Sequence, residues 1–216
     1  MAEIESKPRY IAIAGNIGVG KTTLTEMLCD RFGWQPFYEK VVENPYLADF
    51  YLDMPQWAFQ SQIFFLKERL KDHLQIQHLN QTCIQDRTIF EDAEIFARNL
   101  YERGVMAERD FSVYWDFYET IQQFLRHPDL IIYLRASIWT LISRIRKRGR
   151  DYEQIIDKEY LMQLNTLYDR WAERMSATHR VLIIDTDHRD VYRDAGWLED
   201  MIGKIEEVVR KLDEAQ

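Results

Sequence analysis

Residues 15–22 read GNIGVGKT, which fits the spacing G-x-x-x-x-G-K-[ST]. Glycines at these steps let the backbone turn tightly, so that successive N–H groups point inward at phosphate oxygens. The positive end of a following helix strengthens the pull. In such a loop Lys21 reaches the β- and γ-phosphates, and Thr22 offers a hydroxyl to Mg²⁺. Gly15, Asn16, Gly18, Gly20, Lys21, Thr22 and Thr23 are therefore the candidate ATP-binding residues. A glycine-rich turn can match by chance. Here an apolar run precedes it and a helical pattern follows, which is the context the motif needs.

Two further patterns bear on where the phosphoryl group goes. The run TCIQDR ends in Asp86, followed at once by Arg87. An acid at the end of a buried strand suits Mg²⁺, and an arginine beside it suits a second anionic or reacting oxygen. The stretch RIRKRGR, residues 144–150, sets five positive charges in seven residues of an otherwise acidic chain. Basic runs are commonly solvated helix faces. Here Arg144 and Arg148 share one helix face and Arg150 follows Gly149, which fits a mobile lid whose arginines close over ATP. The chain has no guanine-reading N-K-x-D, which argues against a GTPase-like switch. The Asp-Arg step argues against a motor or transporter subunit. A kinase of a small acceptor is the reading that remains.

These residues need a frame. Short apolar runs at 10–14, 82–86, 130–134 and 181–185 read as buried parallel strands, with a shorter one near 35–38. Amphipathic patterns between them predict helices over 21–32, about 55–79, 91–103, 108–126, 138–147, 158–175 and 198–212. Strand and helix in alternation predict an α/β fold, an open five-stranded parallel sheet with helices on both faces. No repeat, low-complexity segment or linker divides the chain, so residues 1–216 are expected to form one domain.

Composition narrows the partners. The formal net charge is −8, which argues against nucleic acid or an anionic membrane surface while leaving room for a local basic pocket. The apolar runs are too short to span a bilayer. The first ten residues carry no apolar leader core, and Cys29 and Cys83 read as reduced thiols, so the expected location is the cytoplasm. His73, His78, His127, His179 and His188 lack metal-ligand spacing and read as surface or capping residues.

Taken in order, GNIGVGKTTL, ENPYL, FQSQIFFLKERL, QDRTIFEDAEIFARN, IIYLRAS and RIRKRGRDYEQ resemble the deoxynucleoside kinases over about residues 9–212. The chain looks most like the bacterial deoxyadenosine and deoxyadenosine/deoxycytidine kinases. The resemblance implies a P-loop kinase fold with an arginine-rich lid over about residues 144–156, and a homodimer formed through the long helices. It implies transfer of phosphoryl from ATP, with Mg²⁺, to the 5'-hydroxyl of a 2'-deoxynucleoside. Deoxyadenosine comes first, with deoxycytidine or deoxyguanosine as alternatives.

The resemblance also assigns roles. Glu39 stands where the family has its general base, and Arg87 beside the 5'-oxygen. Asp86 helps hold Mg²⁺ through water. Gln62 and Arg69, seven apart and so on one helix face, contact the nucleobase. Asp92 pairs with Arg69, and Phe96 stacks on the base. Tyr51 and Glu153 hold the 3'-hydroxyl, and Arg144, Arg148 and Arg150 are the lid arginines. The chain departs from the pattern at Lys40, where many animal members have proline after the base carboxylate. It departs again at ENPY, where they carry a tryptophan. Thr88 replaces the commoner serine and keeps the hydroxyl. A thymidylate-type nucleoside monophosphate kinase is the nearest alternative enzyme, but its acceptor site needs extra positive charge rather than a carboxylate such as Glu39. A nucleotide-binding assembly subunit without catalysis fits poorly with an intact Lys21, Glu39, Asp86 and Arg87.

Overall fold

A computed structural model describes residues 7–41, 43–187, 189 and 194–214, with His188 outside that set. Five parallel strands form the sheet: β1 (Tyr10–Ala14), β2 (Gln35–Phe37), β3 (Cys83–Asp86), β4 (Leu130–Arg135) and β5 (Val181–Asp185). Their order is β2-β3-β1-β4-β5. The central strand β1 is buried along its whole length, and its residues alternate between two cores. Ile11 and Ile13 join one core with Leu24, Leu28, Ile132 and Ile205. Ala12 and Ala14 join the other with Tyr133, Ile95, Leu164 and Tyr168. Side chains of a strand point to opposite faces, so this split is the signature of a sheet covered on both sides.

The first face is covered by α1 (Lys21–Phe32) and α9 (Ala195–Glu214). The second is covered by α3 (Met54–His78), α6 (Glu108–Gln122) and α8 (Lys158–Ser176), while α7 (Ile138–Arg148) contributes to both cores through Leu141 and Ile145. Among the described residues no helix is long and apolar enough to cross a membrane.

Several elements differ from the sequence expectation. A short helix, α2 (Leu47–Leu52), was not foreseen, and α9 starts three residues early. The helix expected over 91–103 begins sooner, at α4 (Ile89–Glu91), because Thr88 and Glu91 form a reciprocal capping box. It then opens into a π-helical turn, Asp92–Ala97, where the Arg98 N–H reaches back to the Ala93 carbonyl, before closing as α5 (Arg98–Glu102). The helix expected to reach residue 126 stops at Gln122. Past it, the Arg126 N–H donates to His73 Nε2 at 2.8 Å. His73 is therefore no surface residue: it is buried, edge-on to Tyr10.

The register explains where the site lies. Ile13 of β1 pairs with Asp86 of β3, and Ala14 pairs with Tyr133 of β4. The carboxyl ends of β1 and β3 therefore finish side by side, which sets the glycine loop beside the Asp86–Arg87 turn. Open parallel sheets bind ligands in this crevice, beyond the strand ends.

Candidate active site

The loop after β1 is shaped by two glycines in opposite situations. A Cβ on Gly15 would sit 2.6 Å from the Leu134 carbonyl oxygen, so the backbone there is wedged against β4. Gly20 has φ +108 and nothing within 4 Å of the same position, which leaves its outer face open where α1 begins. Lys21 Nζ lies across the loop, donating to the carbonyls of Gly15 at 3.0 Å and Asn16 at 3.3 Å. Burial, and then the charge of Arg87, lower its pKa to about 8, with Asp86 and Glu39 pulling the other way. Asn16 turns its amide to α8, donating to the Leu161 carbonyl at 2.9 Å. Its side chain anchors the loop from behind.

Thr22 Oγ1 donates to Asp86 Oδ2 at 2.6 Å, and Asp86 Oδ1 is buried with no hydrogen-bond partner. An orphaned carboxylate oxygen beside a threonine hydroxyl fits a divalent cation held partly through water and nucleotide oxygens.

Beyond Asp86 lies a row of alternating charges. Arg69 Nη2 donates to Glu39 Oε1 at 2.9 Å, and Arg69 Nε to Asp92 Oδ2 at 3.1 Å. Arg87 Nη1 approaches the same Glu39 oxygen at 3.3 Å. Burial alone would raise the Glu39 pKa, but Arg87, Arg69 and Lys21 outweigh it and hold the carboxyl at about 2. Arg87 has φ +67, the left-handed region, and its guanidinium lies over the Phe96 ring at 4.1 Å. Asp92 and Phe96 both come from the π turn, whose wider spacing brings residues four apart nearly into line along the helix.

One cavity of about 640 Å³ joins these parts. Gly18, Gly20, Lys21, Thr22, Thr23, Glu39, Tyr51, Gln62, Arg87, Asp92, Phe96, Arg144, Arg148, Arg150 and Glu153 line it, so most of the expected residues converge. Gly15, Asn16, Arg69 and Asp86 lie behind the lining. Arg69 in particular reaches the site through Glu39 and Asp92. Gln62 Oε1 is buried without a partner.

The arginines of the segment expected as a lid are tied to its own acid. Arg148 donates from Nε and Nη2 to Glu153 Oε2 at 2.9 and 2.6 Å, and Arg150 Nη1 to Oε1 at 3.2 Å. Arg144 is placed differently from its neighbours. It donates to the carbonyls of Val19, Thr186 and Arg189, joining the glycine loop to the segment after β5.

Four positioning residues were missed. Glu91 and Tyr168 lie beneath the loop, and Glu91 was visible in principle as the second half of a T-x-x-E capping box. Tyr152 stacks on Tyr51 with ring centroids 6.1 Å apart. Lys40 points away from the cavity to Glu68 and Asp72 of α3 at 3.2 and 2.9 Å. Consecutive residues 39–40 and 68–69 thus form two opposite ion pairs that clamp the end of β2 to α3.

A parallel sheet of this order, a phosphate-binding loop after its central strand and an arginine lid define a P-loop kinase fold carrying a phosphotransferase site. The profile of the deoxynucleoside kinase family matches residues 11–210. The chain belongs to that family. It is 35% identical over 205 residues to a deoxyadenosine/deoxycytidine kinase of Bacillus subtilis, covering 94% of each chain. It is 32% identical over 204 residues to a deoxyguanosine kinase of the same organism, covering 93% of this chain and 97% of that one. The solved structure of a deoxyadenosine kinase from M. mycoides with bound dATP superposes with a TM-score of 0.79 at 33% identity, over 90% of this chain and 99% of that one.

Proposed function

We propose that this kinase transfers phosphoryl from ATP, with Mg²⁺, to the 5'-hydroxyl of deoxyadenosine, with deoxycytidine second. The observation that carries the base choice is Gln62. Its buried Oε1 has no partner, so it needs a donor from the ligand. The amino groups of adenine and cytosine supply one, next to a ring nitrogen that accepts from the same amide, whereas guanine offers its carbonyl and N1–H in the reverse order and needs the amide turned over. Likeness to deoxyadenosine kinases puts adenine ahead of cytosine.

The donor phosphates take the open face of Gly20, where N–H groups and Lys21 converge. Thr22 and Asp86 would hold Mg²⁺, which would supply positive charge against that of the phosphates. Glu39, ionised and held by Arg69 and Arg87, accepts the 5'-hydroxyl proton, and Arg87 faces the oxygen that attacks. Phe96 presents its ring to the base from beneath Arg87. Tyr51 and Glu153 bind the 3'-hydroxyl, and Arg148 and Arg150 turn to the phosphates as the lid, residues 144–156, closes. The chain works as one domain in the cytoplasm, where its thiols stay reduced, and pairs as a homodimer through α3 and α6. Exposed Leu74, Val113 and Phe117 on those helices support the pairing.

A turnover assay with ATP, Mg²⁺ and a panel of acceptors tests this. The expected order of kcat/KM is deoxyadenosine, deoxycytidine, deoxyguanosine, with nucleoside monophosphates inert. Faster turnover of deoxyguanosine or of any monophosphate overturns it.

A further inference from the structure

Glu91 has zero exposure, yet it lies outside the cavity and no step of the phosphoryl transfer uses it. Both of its oxygens are occupied. Oε2 accepts the Thr88 N–H at 2.8 Å and the Thr88 hydroxyl at 3.1 Å. Oε1 accepts the Tyr168 hydroxyl at 3.0 Å and the N–H of Gly15 at 3.4 Å. A capping box accounts for the first pair only. The second pair ties a helix cap to the first residue of the glycine loop.

We infer that Glu91 is a positioning residue that holds the phosphate-binding loop in register with the Asp86–Arg87 turn. The turn is fixed on both sides of Arg87. Its own N–H donates to the Ile13 carbonyl at 3.1 Å, and the next N–H, that of Thr88, donates to Glu91. Ile13 and Gly15 bracket the end of β1. One carboxylate therefore spans the step from donor loop to catalytic arginine, with Tyr168 of α8 fixing its direction. Gly15 is the point where such a strut acts best, because its other side already abuts Leu134 and cannot yield. In-line transfer is sensitive to small displacements of either half.

Glu91→Gln separates this role from capping. The glutamine carbonyl can still accept from Thr88, since glutamine serves in capping boxes. Its NH₂ then faces the Gly15 N–H, donor against donor, and the tie to the loop is lost. The inference rests on the donor phosphates binding this loop, so the readouts are calorimetric Kd values for Mg·ADP and for deoxyadenosine, with Tm alongside. For Glu91→Gln the expected result is Mg·ADP affinity at least tenfold weaker, deoxyadenosine affinity within twofold of wild type, and a Tm within a few degrees. Wild-type protein that fails to bind Mg·ADP removes the donor assignment itself. Wild-type binding with an unchanged Kd in the variant overturns the role of Glu91 alone, as does an equal loss for both ligands. If Glu91→Gln does not fold, Tyr168→Phe takes its place. It frees Oε1 to swing and should weaken Mg·ADP at least threefold with deoxyadenosine unaffected; no change there also overturns the inference.

Discussion

As the proposed base, Glu39 takes a proton from a weakly acidic hydroxyl, yet Arg87, Arg69 and Lys21 hold its pKa, against burial, at about 2. It is ionised throughout the working pH range, so its strength as a catalyst comes from placement more than from basicity. Glu39→Gln is expected to lower kcat by about 10²–10⁴-fold with ATP affinity little changed, measured by steady-state kinetics and by ADP titration. The acid side of the kcat profile should stay flat from pH 7 to pH 5 as far as Glu39 is concerned. The alkaline side belongs to Lys21, whose pKa in the free enzyme is lowered to about 8. In the proposed role its charged form binds phosphate, so kcat/KM for ATP should fall as pH rises through about 8, while kcat, which reports the ATP complex, breaks at higher pH. A kcat/KM that stays level to pH 10 would remove Lys21 from donor binding. At this scale the sequence singles out residues that sit in a motif, as Lys21, Asp86 and Arg87 do. Lys40 stood out only as a departure. Its partners Glu68 and Asp72 are about thirty positions away, and only the packing of β2 on α3 brings them within reach.

Helix α3 and the π turn jointly form the end of the site proposed for the base. Arg69 from the first is held at 3.1 Å by Asp92 from the second. Both are almost fully buried, so removing Arg69 leaves Asp92 charged and unmatched, and removing Asp92 leaves Arg69 to Glu39. In a double-mutant cycle with Arg69→Met and Asp92→Asn, the losses in kcat/KM should be far from additive, and the ratio of deoxyadenosine to deoxycytidine should shift. Additive losses with a constant ratio would show that the pair does not shape the base pocket. The π turn itself was not legible. Over six residues, a pattern of period 3.6 cannot be told from a slightly wider one, so DAEIFA read as ordinary helix. The lid gives a second test. Glu153 holds both Arg148 and Arg150 in this structure, so a 3'-hydroxyl that engages Glu153 competes with them and releases them toward the phosphates. On this view 2',3'-dideoxyadenosine loses kcat as well as affinity, and Glu153→Ala narrows the gap between the two nucleosides. A raised KM with kcat intact would reduce the sugar contact to plain affinity.

The whole molecule was the most legible level. All five expected strands are present, and the three central ones are buried on both faces, which writes itself as continuous hydrophobic segments, while the edge strands β2 and β5 are only partly buried, with Ile183 of β5 exposed, against the expectation for 181–185. The short α2 escaped notice because six residues are too few to show a helical period. Assembly is testable at this scale. Phe117→Asp on α6 places a charge at a residue that is 45% exposed in the single chain, and light scattering should show a monomer where wild type gives a dimer. A wild-type monomer would discard the pairing. One residue, finally, sets a limit on how heat-resistant the molecule can become. Arg87 occupies a backbone conformation that favours glycine over other residues by roughly 1–2 kcal/mol, yet only an arginine there can meet Glu39 and cover Phe96. Arg87→Gly and Arg87→Ala should both be inactive, but the glycine variant should melt several degrees above the alanine one. Lines selected only for survival at high temperature should therefore drift toward glycine at this position, and selection for growth on salvaged nucleosides should return them to arginine.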